Sequence, residues 1–287
     1  MMRVQEFYDS ATNTLSYIVF DEDSKDAIIL DPVLDYDVGS GKTLTPSVEG
    51  LIRFVREQRL NVHMILETHA HADHLSGSQE LKKFFPAAIL AIGSRITEVQ
   101  KLFKDIYNFG EHFPTDGRQF DRLLQDGEKV RAGQLNFEVM YTPGHTPACS
   151  SYLFGEMIFT GDTLFMPDYG TGRCDFPGGS ARDLYRSITQ KIYKLPAETR
   201  IFTCHDYQPK GRPLWFMATV KESLQQNIQL NQDTSEEEFV GFRTTRDKKL
   251  EAPRLLHPSV QVNIDAGHLP KPESNGLAYI KIPLNLS

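Results

Sequence analysis

The chain has 287 residues, 40% hydrophobic and 24% charged, which is enough to bury a large core and is the composition of an ordinary globular protein, not a disordered or fibrous one. Its formal net charge of -7 disfavours nucleic acid as a partner, because that binding needs Lys and Arg to displace counterions from phosphates. Three cysteines, Cys149, Cys174 and Cys204, with no C-x-x-C spacing argue against a disulfide framework or a thiolate zinc cage and for reduced thiols.

The first ten residues carry acids and no apolar segment, so they have the form of neither a secretory signal nor a transit peptide. The longest apolar run, Ala87 to Ile92, is far too short to span a bilayer. A cytoplasmic protein without a membrane partner is expected. Leu15 to Phe20 and Ala27 to Leu30 then read as strands of a hairpin around the polar turn Asp21 to Ser24. Pro46 opens an amphipathic helix with Leu51, Ile52, Phe54, Val55 and Leu60 on its apolar face.

Val62 to Thr68 reads as a buried strand, Ser76 to Phe85 as a helix closed by Pro86, and Ala88 to Ile92 as a further strand, which is the rhythm of a βαβ unit. After a helical stretch near Arg95 to Asn108, strands are expected at Lys129 to Val130, Leu135 to Tyr141, Ser151 to Phe154 and Met157 to Thr160. Ser180, followed by Asp183 three residues on and by Leu184, Ile188 and Ile192, marks a capped helix. Arg200 to Cys204 is the last expected strand. Leu214 to Leu230 and Ser235 to Leu250 read as helices, and Pro253, Pro258, Pro270 and Pro272 point to a mostly extended tail. One domain over residues 1–250 is expected, with residues 251–287 as a tail that closes over the core or contacts a second copy of the chain, as in a homodimer.

Four of these strands run straight into metal-ligating side chains. Val62 to Thr68 leads into His69, His71, Asp73 and His74; Leu135 to Tyr141 into Pro143-Gly144-His145-Thr146; Met157 to Thr160 into Gly161-Asp162-Thr163; and Arg200 to Cys204 into His205-Asp206-Tyr207. In layered α/β folds the C-terminal strand ends are where loops converge and sites are built. Neutral imidazole and carboxylate are ligands of zinc and non-haem iron, and Gly144 and Gly161 permit the tight turns that aim His145 and Asp162 inward. His63, His112, His257 and His268 stand outside any such motif and are expected to be ordinary surface or packed residues.

The motifs T-H-x-H-x-D-H (Thr68 to His74), P-G-H-T, G-D-T and H-D-Y, in this order, resemble the metallo-β-lactamase superfamily over about Leu15 to Tyr207, with Asp31 at the position of its early aspartate. The resemblance implies an α/β protein with a four-layer αβ/βα sandwich, two sheets face to face with helices outside. Within the superfamily the chain is most similar to the persulfide dioxygenases, through Thr68 to Ser78, Thr160 to Leu164, Gly172 to Phe176, Leu184 to Ile188 and Cys204 to Tyr207. Ala72 and Asp206 depart from glyoxalase II, which usually has a bulky aromatic at the first position and a Glu at the second.

That resemblance implies one Fe(II) per chain held by His69, His145 and Asp162, and oxidation of glutathione persulfide with O2 to sulfite and glutathione. Two imidazoles and one carboxylate leave positions open for substrate and O2. His71, Asp73, His74, His205 and Asp31 would then orient the ligands and hydrogen-bond to what they bind. The same inventory also serves two zinc ions in a glyoxalase II-like thioester hydrolase or lactonase, with His69, His71 and His145 on one ion, Asp73, His74 and His205 on the other, and Asp162 between. Ligand types alone leave both open.

Glutathione carries two carboxylates and an ammonium, so a bidentate Arg and hydroxyl donors are expected near the metal. Arg173 and Tyr207 match family positions for the tripeptide. A downstream Arg of the animal members has no counterpart near Gln225 to Leu230, and Arg243 and Arg246 are the candidates to replace it. Lys210 and Arg212 are further cations near the last ligand motif. Cys174, an isolated thiol, is expected to be structural.

Overall fold

Leu15, Tyr17 and Val19 alternate with Ser16, Ile18 and Phe20, and both sets are buried. Because a strand sends successive side chains to opposite faces, this segment must be covered on both sides. The computed structural model, which describes residues 1–285, shows what covers it. In the first half lie β1 (Met2–Asp9), β2 (Thr14–Asp21), β3 (Asp26–Leu30), β4 (Val33–Asp37), β5 (Lys42–Leu44), α1 (Pro46–Gln58), β6 (Asn61–Glu67), β7 (Leu75–Ser76), α2 (Ser78–Phe84), β8 (Ile89–Gly93), α3 (Ile96–Ile106) and β9 (Arg122–Leu124). The second half holds β10 (Lys129–Ala132), β11 (Leu135–Tyr141), β12 (Ser150–Phe154), β13 (Met157–Phe159), α4 (Ala181–Gln190), β14 (Arg200–Phe202), β15 (Met217–Thr219), α5 (Val220–Gln226), α6 (Glu236–Asp247) and α7 (Leu256–Asn263).

Two six-stranded sheets result, in the orders β1-β2-β3-β6-β8-β9 and β10-β11-β12-β13-β14-β15, with a small three-stranded sheet β5-β4-β7 beside the first. β3, β6, β8 and β9 run parallel, as do β13 and β14, so their C-terminal ends share one edge within each sheet. Leu15, Tyr17, Val19, Ile28, Leu30, Met64 and Leu66 from the first sheet meet Phe137, Val139, Tyr152, Phe154 and Phe159 from the second in one apolar layer. Ile18, Ile29 and Ile65 face the other way, onto Leu51, Val55, Leu81 and Val99 of α1, α2 and α3. Ile158 and Ile201 pack on Leu184, Ile188 and Phe239 of α4 and α6. This is the four-layer αβ/βα sandwich expected from the motifs.

Ser180 caps α4 as its spacing predicts, its side chain accepting a hydrogen bond from the Asp183 amide. Beyond the short strands β4, β5, β7 and β9, which no pattern announced, three stretches differ from expectation. β1 was not legible as a strand, yet it pairs with β2 at all eight of its positions; an edge strand with one half-wet face mixes charged and apolar residues and reads as loop. The helix expected from Leu214 begins only at Val220, because Met217–Thr219 pair as β15 with β14 and the capping box of Thr219 with Glu222 starts the helix there. The tail is not mostly extended throughout: α7 carries Pro258 in its first turn, where a missing amide proton costs nothing, and buries Val260, Val262 and Ile264. Among the described residues no helix is long and apolar enough to cross a membrane.

Candidate metal centre

The ligand-rich loop begins where β6 ends, and one strained residue anchors it. Asp31, at the end of β3, has a φ of 46°, a left-handed conformation that a non-glycine residue adopts only when its surroundings hold it there. Here its Oδ1 accepts from the Thr68 amide at 2.7 Å and from His71 Nε2 at 3.0 Å, and its Oδ2 accepts from the Thr68 hydroxyl at 3.0 Å. The β3–β6 pairing is thereby locked to the histidine loop. Glu67 supports the loop from below: its Oε1 accepts from the hydroxyls of Ser76 and Ser78, each at 2.5 Å, and its Oε2 lies 3.6 Å from His71 Nε2.

Four overlapping groups of possible ligand atoms form at the strand ends, two of them through Cys204: Asp31 with His71 and Cys204, and Asp162 with Cys204 and His205. His69, His145 and Asp162 bring one atom each within 4.8 Å of one another, and so do His71, Asp73, His74 and His205. Asp162 lies between them: its Oδ2 faces His145 Nε2 at 3.6 Å and His69 Nε2 at 4.0 Å, while its Oδ1 faces His205 Nε2 at 3.2 Å. His205 Nε2 is also 3.1 Å from Asp73 Oδ2. Gly161, with a φ of 52°, makes the turn that presents Asp162, and a Cβ there would sit 2.6 Å from the Thr68 hydroxyl. The far ring nitrogens are held by acceptors: His145 Nδ1 donates to the Arg173 carbonyl at 2.7 Å and His205 Nδ1 to the Asn13 carbonyl at 3.1 Å. Because a carbonyl only accepts, both rings carry a proton on Nδ1, which turns Nε2 toward the centre as the atom that would ligate.

His69 Nε2, His71 Nδ1 and His74 Nε2 are buried without a hydrogen-bond partner, and His205 Nε2, Asp73 Oδ2 and Asp162 Oδ1 are buried with only one another for close polar neighbours. Buried polar atoms are almost always paired, so orphans gathered in these groups fit a bound cation. Electrostatics agree. Burial, and then the nearby His71 and His145, push His69 well below the ordinary histidine range, so its ring is neutral. Burial likewise holds His74 down, with His71 adding to the effect. Burial opposes charge on His205 too, but Asp162 and Asp73 outweigh it and raise its pKa well above normal. Asp73 and Asp162 stay ionised despite burial because of His205. A cation would replace those protons.

A cavity of about 320 Å³ opens onto the first group, lined by His145, Asp162, Asp73, Ala72, Arg173 and Tyr207, among others. Ala72 leaves room where a larger side chain would intrude. Arg173 and Tyr207 are therefore at the cavity, although the Arg173 guanidinium is already forked onto Asp175 at 2.6 Å and donates to the Glu251 carbonyl. Tyr207 stacks on Tyr169, with centroids 4.5 Å apart, and burial raises its pKa, so the phenol stays protonated. Arg246 and Arg254 also line the cavity. Arg243 does not; it is fully buried against Asp247.

Arg212 forms a double fork with Asp206 and Asp168 that braces the loop after His205, and Lys210 sits on an exposed turn. Burial pushes the Cys174 thiol well above its usual value and Cys149 up to about 12, so neither is a ready nucleophile. His63 pairs with Asp26 and His257 with Tyr107, away from the centre. Sequence reasoning missed Glu67, although it adjoins the motif, and Asn263. The Asn263 side chain donates to the His71 and His74 carbonyls, both at 2.8 Å, and accepts from the Ser76 amide at 2.8 Å. Nothing in the local sequence of α7 points to a loop nearly 190 residues upstream.

Comparison with known proteins gives the same frame. A protein of Burkholderia pseudomallei (strain 1710b) described as "Probable metallo-hydrolase" is 49% identical over 294 residues, 99% of each chain. The mitochondrial persulfide dioxygenase ETHE1 of Homo sapiens is 29% identical over 266 residues, 92% of this chain and 88% of that one. The crystal structure of ETHE1 from Myxococcus xanthus aligns with a TM-score of 0.74 at 31% identity, over 93% of this chain and 100% of the other. The sequence profile of the metallo-beta-lactamase superfamily matches residues 10–205, the span that carries every histidine and aspartate of the centre, and the chain belongs to that superfamily.

Proposed function

We propose that the protein is an iron-dependent dioxygenase that converts glutathione persulfide, O2 and water to sulfite and glutathione. The observation that carries this reading is that two imidazoles and one carboxylate, His69, His145 and Asp162, come together as a buried group at the end of the cavity, while His71 groups with Asp73, His74 and His205 or with Asp31 and Cys204. That triad is the ligand set of non-haem iron enzymes that activate O2. Fe(II) held there would supply the redox chemistry by which a sulfur is oxidised by O2. The similarity to ETHE1 of two organisms supports the same reading.

The chain's own residues do the rest. His69, kept neutral by burial, offers a lone pair without a proton to displace, and His145 is oriented by its Nδ1 contact to the Arg173 carbonyl. Tyr207 offers a hydroxyl donor on the cavity wall, and Arg246 and Arg254 set positive charge at its rim, where a tripeptide's carboxylates are expected to lie. Phe165, Phe176 and Leu255 line the cavity with apolar surface and keep water from the reacting sulfur.

A second reading is favoured by the unpaired atoms on His71, His74, Asp73 and His205, and by the relative described as a metallo-hydrolase: two zinc ions and hydrolysis of a thioester or lactone. Metal analysis and oxygen uptake separate the two. Protein produced with iron and no added zinc is expected to carry one iron per chain and to consume O2 on glutathione persulfide, and His145→Ala should abolish the uptake. Two zincs per chain with thioester hydrolysis and no oxygen consumption would overturn the dioxygenase reading.

A further inference from the structure

Arg243 heads the largest fully buried side chains among the described residues. A guanidinium out of water must have its charge and donors met, and the way they are met points at the metal centre. Asp247, one turn along α6, takes Nε at 3.0 Å and also pairs with Nη2. Nη1 donates to the Thr171 carbonyl at 3.0 Å, the Thr171 hydroxyl at 3.1 Å and Gln229 Oε1 at 2.9 Å. Asp247 Oδ2 in turn accepts from the Cys174 amide at 2.8 Å. The pair therefore grips residues 171–174 at both ends.

Between the two grips lie the atoms that matter to the site. Gly172 runs so close to Asp162 that a Cβ would stand 1.9 Å from the Asp162 carbonyl oxygen. Arg173 presents the carbonyl that takes the His145 Nδ1 proton at 2.7 Å. Helix α6 already has an apolar reason to dock, through Phe239 in the core with Leu184 and Ile188, and a buried ion pair adds little net stability over apolar residues of the same size. Docking alone gives no reason for the charges.

We propose that the Arg243–Asp247 pair is a positioning device for the metal centre. It fixes residues 171–174 so that the Arg173 carbonyl holds His145 in the tautomer and orientation that leave Nε2 free to ligate. The inference rests on His145 being a metal ligand and on no particular reaction, so it stands apart from the choice between oxidation and hydrolysis.

Co(II) is a suitable probe, since its visible bands report the ligand field and its affinity is measured by chelator competition in protein that need not turn over. Arg243→Lys keeps the charge but reaches only one partner at a time, and the double variant Arg243→Met with Asp247→Leu removes both charges. Both are expected to fold and to bind Co(II) roughly 10–100-fold more weakly, the usual loss when a partner of a ligating histidine is removed, with altered visible bands. Phe239→Leu, which loosens α6 without touching the pair, should lower the unfolding temperature and leave affinity unchanged. Parental affinity and bands in either folded variant overturn the proposal. Failure of both variants to fold overturns it as well, since the pair would then serve stability.

Discussion

The histidines of the centre pull in opposite electrostatic directions, and this has a consequence for stability. His69 and His74, held below the ordinary range chiefly by burial, are neutral in the fold and gain protons only on unfolding. Below about pH 6.5, the unfolded chain binds those protons and stability falls as pH falls. His205, and likewise His71 beside Asp31, have raised values because carboxylates outweigh burial. Their contribution is fully present below about pH 6.5 and is lost as pH rises through their folded values. Chelator-treated protein is therefore expected to have its highest unfolding temperature near the normal histidine range and to lose stability on both sides. A calorimetric pH series that instead rose steadily with pH would contradict these assignments.

Among the elements, α7 does the least expected work. Asn263 satisfies two backbone carbonyls and one amide of the histidine loop, and its helix buries Val260 and Ile264 against the helices of the first sheet. Leaving a buried polar group unpaired costs roughly 1–3 kcal/mol, so Asn263→Ala, which orphans three, should destabilise by at least ~3 kcal/mol. Chemical denaturation should show it as a lower midpoint at unchanged slope. A shift under about 1 kcal/mol would mean that water replaces the amide. Pro258 obscured this helix in the sequence, because proline is read as a breaker unless its place in the first turn is known. Thr219 and Glu222, which the helix expected from Leu214 passed over, form the capping box that sets the start of α5.

At the scale of the molecule, the centre exists only because two sheets meet. His69, His71, Asp73 and His74 follow β6 of the first sheet, whereas His145, Asp162 and His205 follow β11, β13 and β14 of the second. Phe159, 2% exposed, lies in the layer between them against Tyr17, Phe154 and Phe202. Truncating a buried Phe typically costs ~3–5 kcal/mol. Phe159→Ala is thus expected to lower the unfolding temperature strongly and to weaken metal retention, since Asp162 is only three residues on. Dialysis against a mild chelator would check the second point: metal retained as in the parent would show that the ligand halves hold together without this packing.

The fold class and the crowding of His and Asp at the strand ends were legible in the sequence by itself, for a physical reason. Each of four strands hands its last residues to a loop, and a loop such as Thr68 to His74 carries so many imidazoles and carboxylates that only a shared cation accounts for it. Ladder periodicity and motif spacing are local properties, and local properties survive in a linear string. Only the tertiary structure decided how those ligands divide into His69, His145 and Asp162 on one side and His71, Asp73, His74 and His205 on the other. It alone also decided that Arg173 is spoken for by Asp175, that Arg246 and not Arg243 reaches the cavity, and that Asn263 braces the loop from the far end of the chain. Those are contacts between distant segments, set by how layers pack, and no residue pattern within a segment encodes them.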